Sequence, residues 1–221
     1  AIIAAFLKTI VLRPQLNRFI ANQTIFQRNE ISAAFVVKTS LSDDAEEAMA
    51  FINAEETDTL FDLQRKINEE INKARDLNHK NGTDLAMEIV AKLPSFLKWI
   101  VGCVMRCLDR HGIVPKSIVA DDIHYASVVM TQLGSIKLNA GYHHLTDWGT
   151  NSLFIAVGEK KMRPYYDTKG NIEMRHSIDL GITVDERIAD GFYFAKSIRL
   201  VKKLLENPEL LELPLNEKVV F

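Results

Sequence analysis

The heptapeptide Asp185-Glu186-Arg187-Ile188-Ala189-Asp190-Gly191 is the stretch of this chain that decides the fold. It follows an apolar run, Ile178 to Val184, whose composition predicts a β-strand. It precedes Phe192 to Leu205, where apolar residues recur at the three- and four-residue intervals of an amphipathic helix. The glycine that ends the heptapeptide permits a tight turn between the two elements. The segment therefore predicts a strand, a polar turn and a helix.

The rest of the chain predicts a mixed α/β domain with layered helices, because helices and strands do not alternate regularly. Residues 45–53 fit either a short strand or a helix. The apolar stretch Phe96 to Leu108 predicts a well-buried helix, with Cys103 and Cys107 as reduced thiols packed in the core. The predicted helices are Ala1 to Leu12, Thr59 to Leu77, Leu85 to Arg110 with a break near Pro94, and Gly191 to Leu205. The predicted strands are Phe19 to Ala21, Thr24 to Gln27, Ser32 to Ser40, Tyr125 to Thr131, Leu153 to Lys160 and His176 to Val184, with a hairpin turn at Asp167 to Asn171.

Composition limits the class of protein. At 221 residues and 47% hydrophobic, the chain can bury one substantial core, so we expect a single domain over residues 1–221. We also expect that a further segment precedes Ala1, because the chain begins inside a helical pattern. The formal net charge of -2, without clustered Lys or Arg, predicts no nucleic-acid partner. No apolar run approaches the ~20 residues of a membrane helix, so we expect a cytoplasmic protein without a membrane partner.

The heptapeptide resembles a catalytic signature. It is similar to the His-x-x-x-Asp-Gly motif of the chloramphenicol acetyltransferase superfamily, and closer to the Asp-His-Arg-x-x-Asp-Gly motif in the acyltransferase core of 2-oxo acid dehydrogenase complexes. Asp185, Arg187, Asp190 and Gly191 match that motif, and Glu186 stands where the family has histidine. Three other segments resemble family segments in the right order: Arg13 to Asn17, Thr131-Gln132-Leu133-Gly134, which is similar to Ser-Asn-Leu-Gly, and Ser152 to Glu159.

The resemblance implies a chloramphenicol acetyltransferase-like fold and a homotrimer with active sites between subunits. It also implies a thioester of coenzyme A or of a lipoyl arm as co-substrate, a small-molecule acyl acceptor, and no metal. Acyl transfer needs a base and a donor aimed at the tetrahedral oxyanion. By the resemblance, Thr131 supplies that donor, and Asp190 is a structural carboxylate paired with an arginine near the N-terminal part.

Glu186 leaves three interpretations open. A glutamate has a reference pKa near ~4.3 against ~6.5 for histidine, so an exposed Glu is a poor base at neutral pH. Burial in an apolar channel can raise a carboxyl pKa by up to ~3–5 units, which would make Glu186 a working base. Alternatively, catalysis is lost or altered. In the third interpretation Glu186 is a solvated charge or pairs with Arg187, while Asp185 and Arg187 form an ion-pair network.

Histidines elsewhere are the other candidate bases. His143 and His144 are adjacent, so at most one of them faces a site, where Asp147 would orient it. We interpret His124 as part of a solvated turn. His176 alternates with apolar residues, which predicts packing in the core. Whether the chain is an enzyme stays open: an acyltransferase with an altered base is one hypothesis, and an inactive trimeric scaffold or CoA-binding relative is the alternative.

Overall fold

A computed structural model describes residues 1–38, 47–75, 88–120 and 122–221. The described helices are α1 (Ile2–Leu12), α2 (Leu60–Arg75), α3 (Ser95–His111), α4 (Lys116–Val119) and α5 (Gly191–Glu206). The strands are β1 (Arg18–Ala21), β2 (Thr24–Gln27), β3 (Ile31–Lys38), β4 (Glu47–Ala54), β5 (Val128–Gln132), β6 (Leu153–Tyr166) and β7 (Ile172–Val184).

The strands form a two-stranded hairpin and a five-stranded mixed sheet. The large sheet has the order β4-β3-β5-β6-β7. Its central strand β5 runs parallel to β3 and β6, whereas β4 and β7 pair antiparallel at the two edges. The hairpin joins β1 to β2 through Asn22 and Gln23, whose φ angles of 46° and 59° suit a tight hairpin turn. The predicted mixed α/β class is confirmed.

One face of the sheet packs on the α-helices α1, α2 and α5. Successive residues of a strand point to opposite faces. Phe35, Met130 and Ile155 belong to the face that joins the main core. The helices supply the other half of that core through Phe6, Leu7 and Ile10 of α1, Leu63 of α2, and Leu200, Val201 and Leu204 of α5. The opposite face carries the alternate residues of the same strands.

A lysine lies inside the helical layer, which the sequence did not predict. Lys8 is fully buried, and its Nζ donates hydrogen bonds to the carbonyl oxygens of Pro214 at 2.6 Å and Leu213 at 3.2 Å. Burial lowers the pKa of Lys8, and the charge of Glu217 partly opposes that effect. These contacts tie the first helix to the C-terminal tail of the chain.

Several elements differ from the prediction at their ends. Residues 47–54 form β4, because they pair in register with β3; residues 39–46 lie outside the described part. The predicted helix over Thr59 to Leu77 is described as Leu60–Arg75. Residues 88–91 are helical, and after a break a separate helix begins directly after Pro94. Strands β6 and β7 extend past the sheet as a two-stranded arm that ends in the predicted turn. In that turn the Asp167 carboxylate accepts backbone hydrogen bonds from Lys169 and Asn171, both at 2.8 Å.

His176 lies on this arm, and its predicted burial is wrong. It pairs with Met162 beyond the end of the neighbouring strand β5, so its side chain is exposed. The alternation that predicted burial is real, but the core ends near Leu180. An alternating pattern cannot distinguish a covered stretch of strand from one that projects into solvent.

The prediction for Phe96 to Leu108 is also wrong, because no residue of α3 is buried. Phe96 is 64% exposed and Trp99 is 71% exposed. Cys103 and Cys107 are free thiols at the surface. The helix is apolar around most of its circumference, yet only one side lies against the body of the protein. None of the described helices is both long and apolar enough to cross a membrane.

Candidate functional site

A cavity of about 370 Å³ opens on the face of the sheet opposite the main core. The strands β5 and β6 form its floor through Val129, Thr131, Phe154 and Ala156. Val129 pairs with Phe154 and Thr131 with Ala156, so the four side chains share one face of two parallel strands. Segment 141–146 and His124 form the walls.

Thr131 is therefore the hydroxyl at the floor of the cavity. It occupies the next-to-last position of β5, and its side chain is half-buried. A threonine hydroxyl offers one O–H donor, which can point at an oxygen atom held above the floor. The backbone of β5 is fixed on both sides by parallel partners, so the position of this hydroxyl is well determined.

Glycines let the wall segment lie directly on the sheet. A Cβ atom added to Gly181 of β7 would overlap the carbonyl oxygen of Gly141, and one added to Gly158 of β6 would overlap the backbone of Ala140. The Glu159 N–H also donates to the Leu138 carbonyl at 2.9 Å. Only residues without a side chain allow so close an approach, so these glycines set the height of the wall above the floor.

His143 lies in this wall and has a defined tautomer. Its ring stacks on Phe154, with centroids 4.1 Å apart and planes 12° apart. Its Nδ1 lies 2.7 Å from the carbonyl oxygen of His144. Because a carbonyl can only accept, Nδ1 carries the proton in this bond, and Nε2 of the neutral ring keeps its lone pair. His143 and His144 both line the cavity.

His124 also lines the cavity, which the interpretation as a solvated turn missed. Its Nδ1 lies 2.8 Å from Oδ1 of Asp122, and its backbone N–H donates to the same oxygen at 2.9 Å. The other oxygen, Oδ2, accepts from Nε1 of Trp148 at 3.3 Å. Asp122 is 9% exposed, so this is a buried carboxylate that orients an imidazole at the edge of the cavity. The signal in the sequence for this hydrogen-bonded pair was the two-residue spacing between Asp122 and His124.

Burial raises the pKa of Asp122, but hydrogen bonds from the ring and backbone of His124 and from Trp148 outweigh it, and the net pKa is lowered. A carboxyl whose pKa falls on folding stabilises the protein above its unfolded pKa of ~3.9 and loses that contribution in acid.

We expect Asp122→Asn to lower the free energy of unfolding by about 1–3 kcal/mol at pH 7, and by less near pH 3. Urea unfolding at the two pH values measures this. The exposed Asp147→Asn is the control, and a pH-independent difference for Asp122→Asn would contradict the assignment.

A second carboxylate, half-buried, supports the wall from behind. The Asp109 carboxylate accepts from the Tyr125 hydroxyl at 2.5 Å and from the Gly149 N–H at 3.1 Å. Burial and the nearby Asp109 both raise the pKa of Tyr125, which stays a donor at any physiological pH. Arg28 donates to the Tyr125 carbonyl at 2.7 Å and to both the carbonyl and the hydroxyl oxygen of Thr150. Burial lowers the pKa of Arg28 to about 10.

The heptapeptide lies outside this cavity. Ile188, 2% exposed, anchors it, and Arg187 binds Asp185 through Nε at 2.8 Å and Nη2 at 2.7 Å. The predicted ion pair between these two residues is confirmed. Arg187 therefore pairs with Asp185, and Glu186 is exposed. Glu186 does not line the cavity of its own subunit.

Asp190 lies at the start of the last helix, α5. Its carboxylate accepts a hydrogen bond from the Tyr193 N–H at 2.7 Å and so caps the N-terminus of α5. Within the described ranges, no arginine pairs with it. The N-terminal Arg13 instead binds α5 one turn later, through the Ser197 hydroxyl at 2.7 Å and the Tyr193 carbonyl at 3.1 Å. The pairing of Asp190 with an arginine stays a prediction, because the resemblance places that arginine near an N-terminal part outside the described residues.

Two further residues lie near the site. Trp148 packs edge-on against Tyr125, with ring centroids 6.0 Å apart, and it is not a wall residue. Asp147 is exposed and does not orient either histidine of the wall; the His144 carbonyl does so for His143. Among the residues that the structure describes, no three His, Cys, Asp or Glu side chains are placed to hold a metal ion.

Comparison with known proteins found a family model that matches part of the chain. The family model for the catalytic domain of 2-oxoacid dehydrogenases acyltransferase matches residues 115–213. The search of curated proteins returned no match. The resemblance predicted from the heptapeptide to the acyltransferase core of these complexes is confirmed.

Solved structures share the fold at low sequence identity. The cubic core of a pyruvate dehydrogenase multienzyme complex superposes with a TM-score of 0.62 at 17% identity, covering 96% of this chain and 70% of that one. A dihydrolipoamide acetyltransferase of Azotobacter vinelandii gives 0.61 at 17% identity, covering 96% and 70%. A probable dihydrolipoamide acetyltransferase from Listeria monocytogenes gives 0.59 at 17% identity, covering 92% and 69%. At these identities the likeness shows the fold alone.

Proposed function

With residues 115–213 matching the acyltransferase catalytic domain of 2-oxoacid dehydrogenases, we propose that this chain transfers an acyl group between a thioester and a hydroxyl or thiol acceptor. The observation that carries the proposal is that Thr131 and His143 line the same cavity. A hydroxyl donor and a neutral imidazole are the two groups that acyl transfer requires. We propose Thr131 as the oxyanion donor and His143 as the base.

The reaction balances with these two groups. Nε2 of His143 takes the proton of the acceptor O–H or S–H while the acceptor attacks the thioester carbonyl. The tetrahedral oxyanion accepts a hydrogen bond from the Thr131 hydroxyl. As the carbonyl re-forms, the C–S bond breaks, and the imidazolium returns its proton to the leaving thiolate.

The thioester carrier is coenzyme A or a lipoyl arm in this proposal. The cavity of about 370 Å³ is at the low end of ligand pockets, which run from ~300 to 1,000 Å³. It is large enough for an acyl group and the reacting end of a carrier arm. Its floor and part of its walls are apolar, which suits the acyl chain.

We further propose a homotrimer in which the heptapeptide of one copy faces the Thr131 cavity of the next. The catalytic mechanism of the Azotobacter vinelandii enzyme was probed at a serine, a histidine and an asparagine, the last two being four residues apart. Glu186 and Asp190 have the same separation, and both are exposed in the isolated subunit. In this assembly Glu186 approaches the cavity from the neighbouring copy, while His143 belongs to the cavity itself.

A thiol-release assay tests the proposal. Purified protein is mixed with acetyl-CoA and either dihydrolipoamide or hydroxyl acceptors, and free CoA is measured with a thiol reagent. Thr131→Val keeps the shape of the side chain and removes the donor, and it should lower kcat by about 10²–10³-fold. Glu186→Gln is the companion variant, and we expect it to keep most of the activity.

The outcomes separate the hypotheses. If Glu186→Gln abolishes turnover and His143 variants do not, Glu186 of the neighbouring copy is the base. CoA binding without turnover on any acceptor would favour the alternative function, an inactive trimeric scaffold. The observation in favour of that alternative is the exposed glutamate at the position of the family histidine.

A further inference from the structure

Helix α3 presents a broad apolar surface to solvent. Phe96, Trp99 and Ile100 are 64%, 71% and 44% exposed, and Val104 one turn later is 51% exposed. We call the exposed apolar side of the helix its outer face, which consists of Phe96, Trp99, Ile100, Cys103, Val104 and Cys107. The half-buried residues Leu97, Val101, Met105 and Leu108 form the inner side. Exposed large apolar patches on a folded protein mark sites of interaction.

Basic residues border the outer face. Trp99, Cys103, Arg106 and Arg110 recur at four- and three-residue spacing, so the two arginines continue the row that begins with the tryptophan. Both arginines are exposed, as is Lys98. Such side chains can lay their apolar stems along the helix and hold their charges at its rim.

The acidic side chain of this helix does not offset that charge. Asp109 is turned inward, where it accepts hydrogen bonds from the Tyr125 hydroxyl and the Gly149 N–H. The outer side of α3 is therefore apolar with a positive rim, on a protein whose formal net charge is -2. Aromatic residues on one side and Lys or Arg beside them characterise helices that lie in the headgroup region of a bilayer.

We propose that the outer face of α3 docks onto an anionic lipid bilayer, with the helix lying parallel to the membrane plane. Trp99 and Phe96 enter the boundary between headgroups and acyl chains, and the arginines bind lipid phosphates. The expectation of no membrane partner came from the absence of a spanning segment. That argument does not apply to a helix of 17 residues that lies on the surface.

The charge pattern disfavours a two-fold pairing of α3 with α3 of a second copy. A two-fold interface sets the same patch against itself. Pairing α3 with α3 would place the basic rims of two copies beside each other, and like charges in contact repel. An anionic lipid bilayer complements both properties of the outer face. Its acyl chains accept the apolar side chains, and its negatively charged headgroups attract the basic rim.

Vesicle binding tests the proposal on the full chain. The protein is sedimented with phosphatidylcholine vesicles and with vesicles that also contain phosphatidylglycerol. We expect binding to the anionic vesicles that weakens as salt is added. Trp99→Glu should abolish it. Arg106→Gln combined with Arg110→Gln should weaken it on the order of 25-fold, from roughly fivefold per charge.

The control variant is Ile172→Glu, at an isoleucine that is 63% exposed on the β6–β7 arm. It should bind vesicles as the wild type does. The chain has two cysteines, so Cys107→Ser leaves Cys103 as a single labelling site. A polarity-sensitive fluorophore there should shift to shorter wavelength on anionic vesicles.

Two results would overturn the proposal. The first is that the wild type does not bind vesicles at low salt, or that the wild type and Trp99→Glu bind them equally. The other is a change in assembly mass for Phe96→Glu without any vesicle binding, which would assign the face to a protein neighbour. Far-UV circular dichroism of each variant establishes that the substituted proteins are folded.

Discussion

His143→Gln is expected to lower kcat for transfer from acetyl-CoA by about 10²–10⁴-fold, with little change in KM. Glutamine keeps a polar side chain of similar reach, but it has no basic nitrogen. In the native protein the His144 carbonyl fixes the proton on Nδ1. Nε2 of His143 is then the atom that receives the acceptor proton. No atom of the glutamine side chain can replace Nε2 as a base.

Two neighbouring histidines are matched controls for this variant. His144 lines the same cavity, but it orients His143 through its backbone carbonyl, which His144→Gln retains. We expect that variant to lose less than about tenfold in kcat, since only a wall contact changes. His124→Gln removes the imidazole that Asp122 holds at 2.8 Å. It should leave most of the turnover intact.

The three variants together identify the base. A large loss for His124→Gln with normal turnover for His143→Gln would assign proton transfer to the His124–Asp122 pair. Normal turnover for both, with a large loss for Glu186→Gln, would place the base on the neighbouring copy. Restoration by added imidazole in the His143→Gln protein would support a purely chemical role for that ring, because a structural defect would not respond to imidazole.

The fold could be predicted because local patterns encode it. The heptapeptide lies between an apolar strand and an amphipathic helix, and the structure has β7 and α5 at these places. The strand and the helix are specified by residues adjacent in sequence, so composition and spacing carried that information. Thr131 was found through the resemblance of Thr131-Gln132-Leu133-Gly134, which begins within the end of β5, to the family's Ser-Asn-Leu-Gly segment.

Burial and the cavity walls depended on tertiary contacts instead. The apolar composition of α3 predicted a core helix, yet composition does not state which surface a helix meets. His124 resembled a turn residue, and only the fold brings Trp148 and Asp122 together at 3.3 Å to fix its carboxylate partner. Likewise Glu186 stands at the motif position of the family histidine. Its distance from the cavity depends on the fold, because Glu186 follows the end of β7 whereas Thr131 lies at the end of β5.

Gly181→Ala is the second substitution for which we expect a large effect. The added Cβ would overlap the carbonyl oxygen of Gly141, a backbone atom that cannot move alone. The wall segment must therefore rise from the sheet and carry His143 with it. We expect the free energy of unfolding to fall by about 1–3 kcal/mol, the usual cost of overpacking. A displacement of about 1 Å in a catalytic group can cost 10²-fold in rate, so kcat should fall by roughly that factor.

Gly102→Ala is the control because the space around a Cβ at Gly102 is open and the residue lies within α3. That variant should gain about 0.5–1 kcal/mol in stability and keep its kcat. The comparison separates the two expected effects of Gly181→Ala. If urea unfolding shows the loss of stability while kcat stays at the wild-type value, the height of the wall does not position the base, and His143 is not the proton acceptor. If kcat falls while binding of CoA is retained, the wall of residues 138–146 acts by positioning the reacting groups, because substrate still enters a cavity whose floor at Thr131 is unchanged.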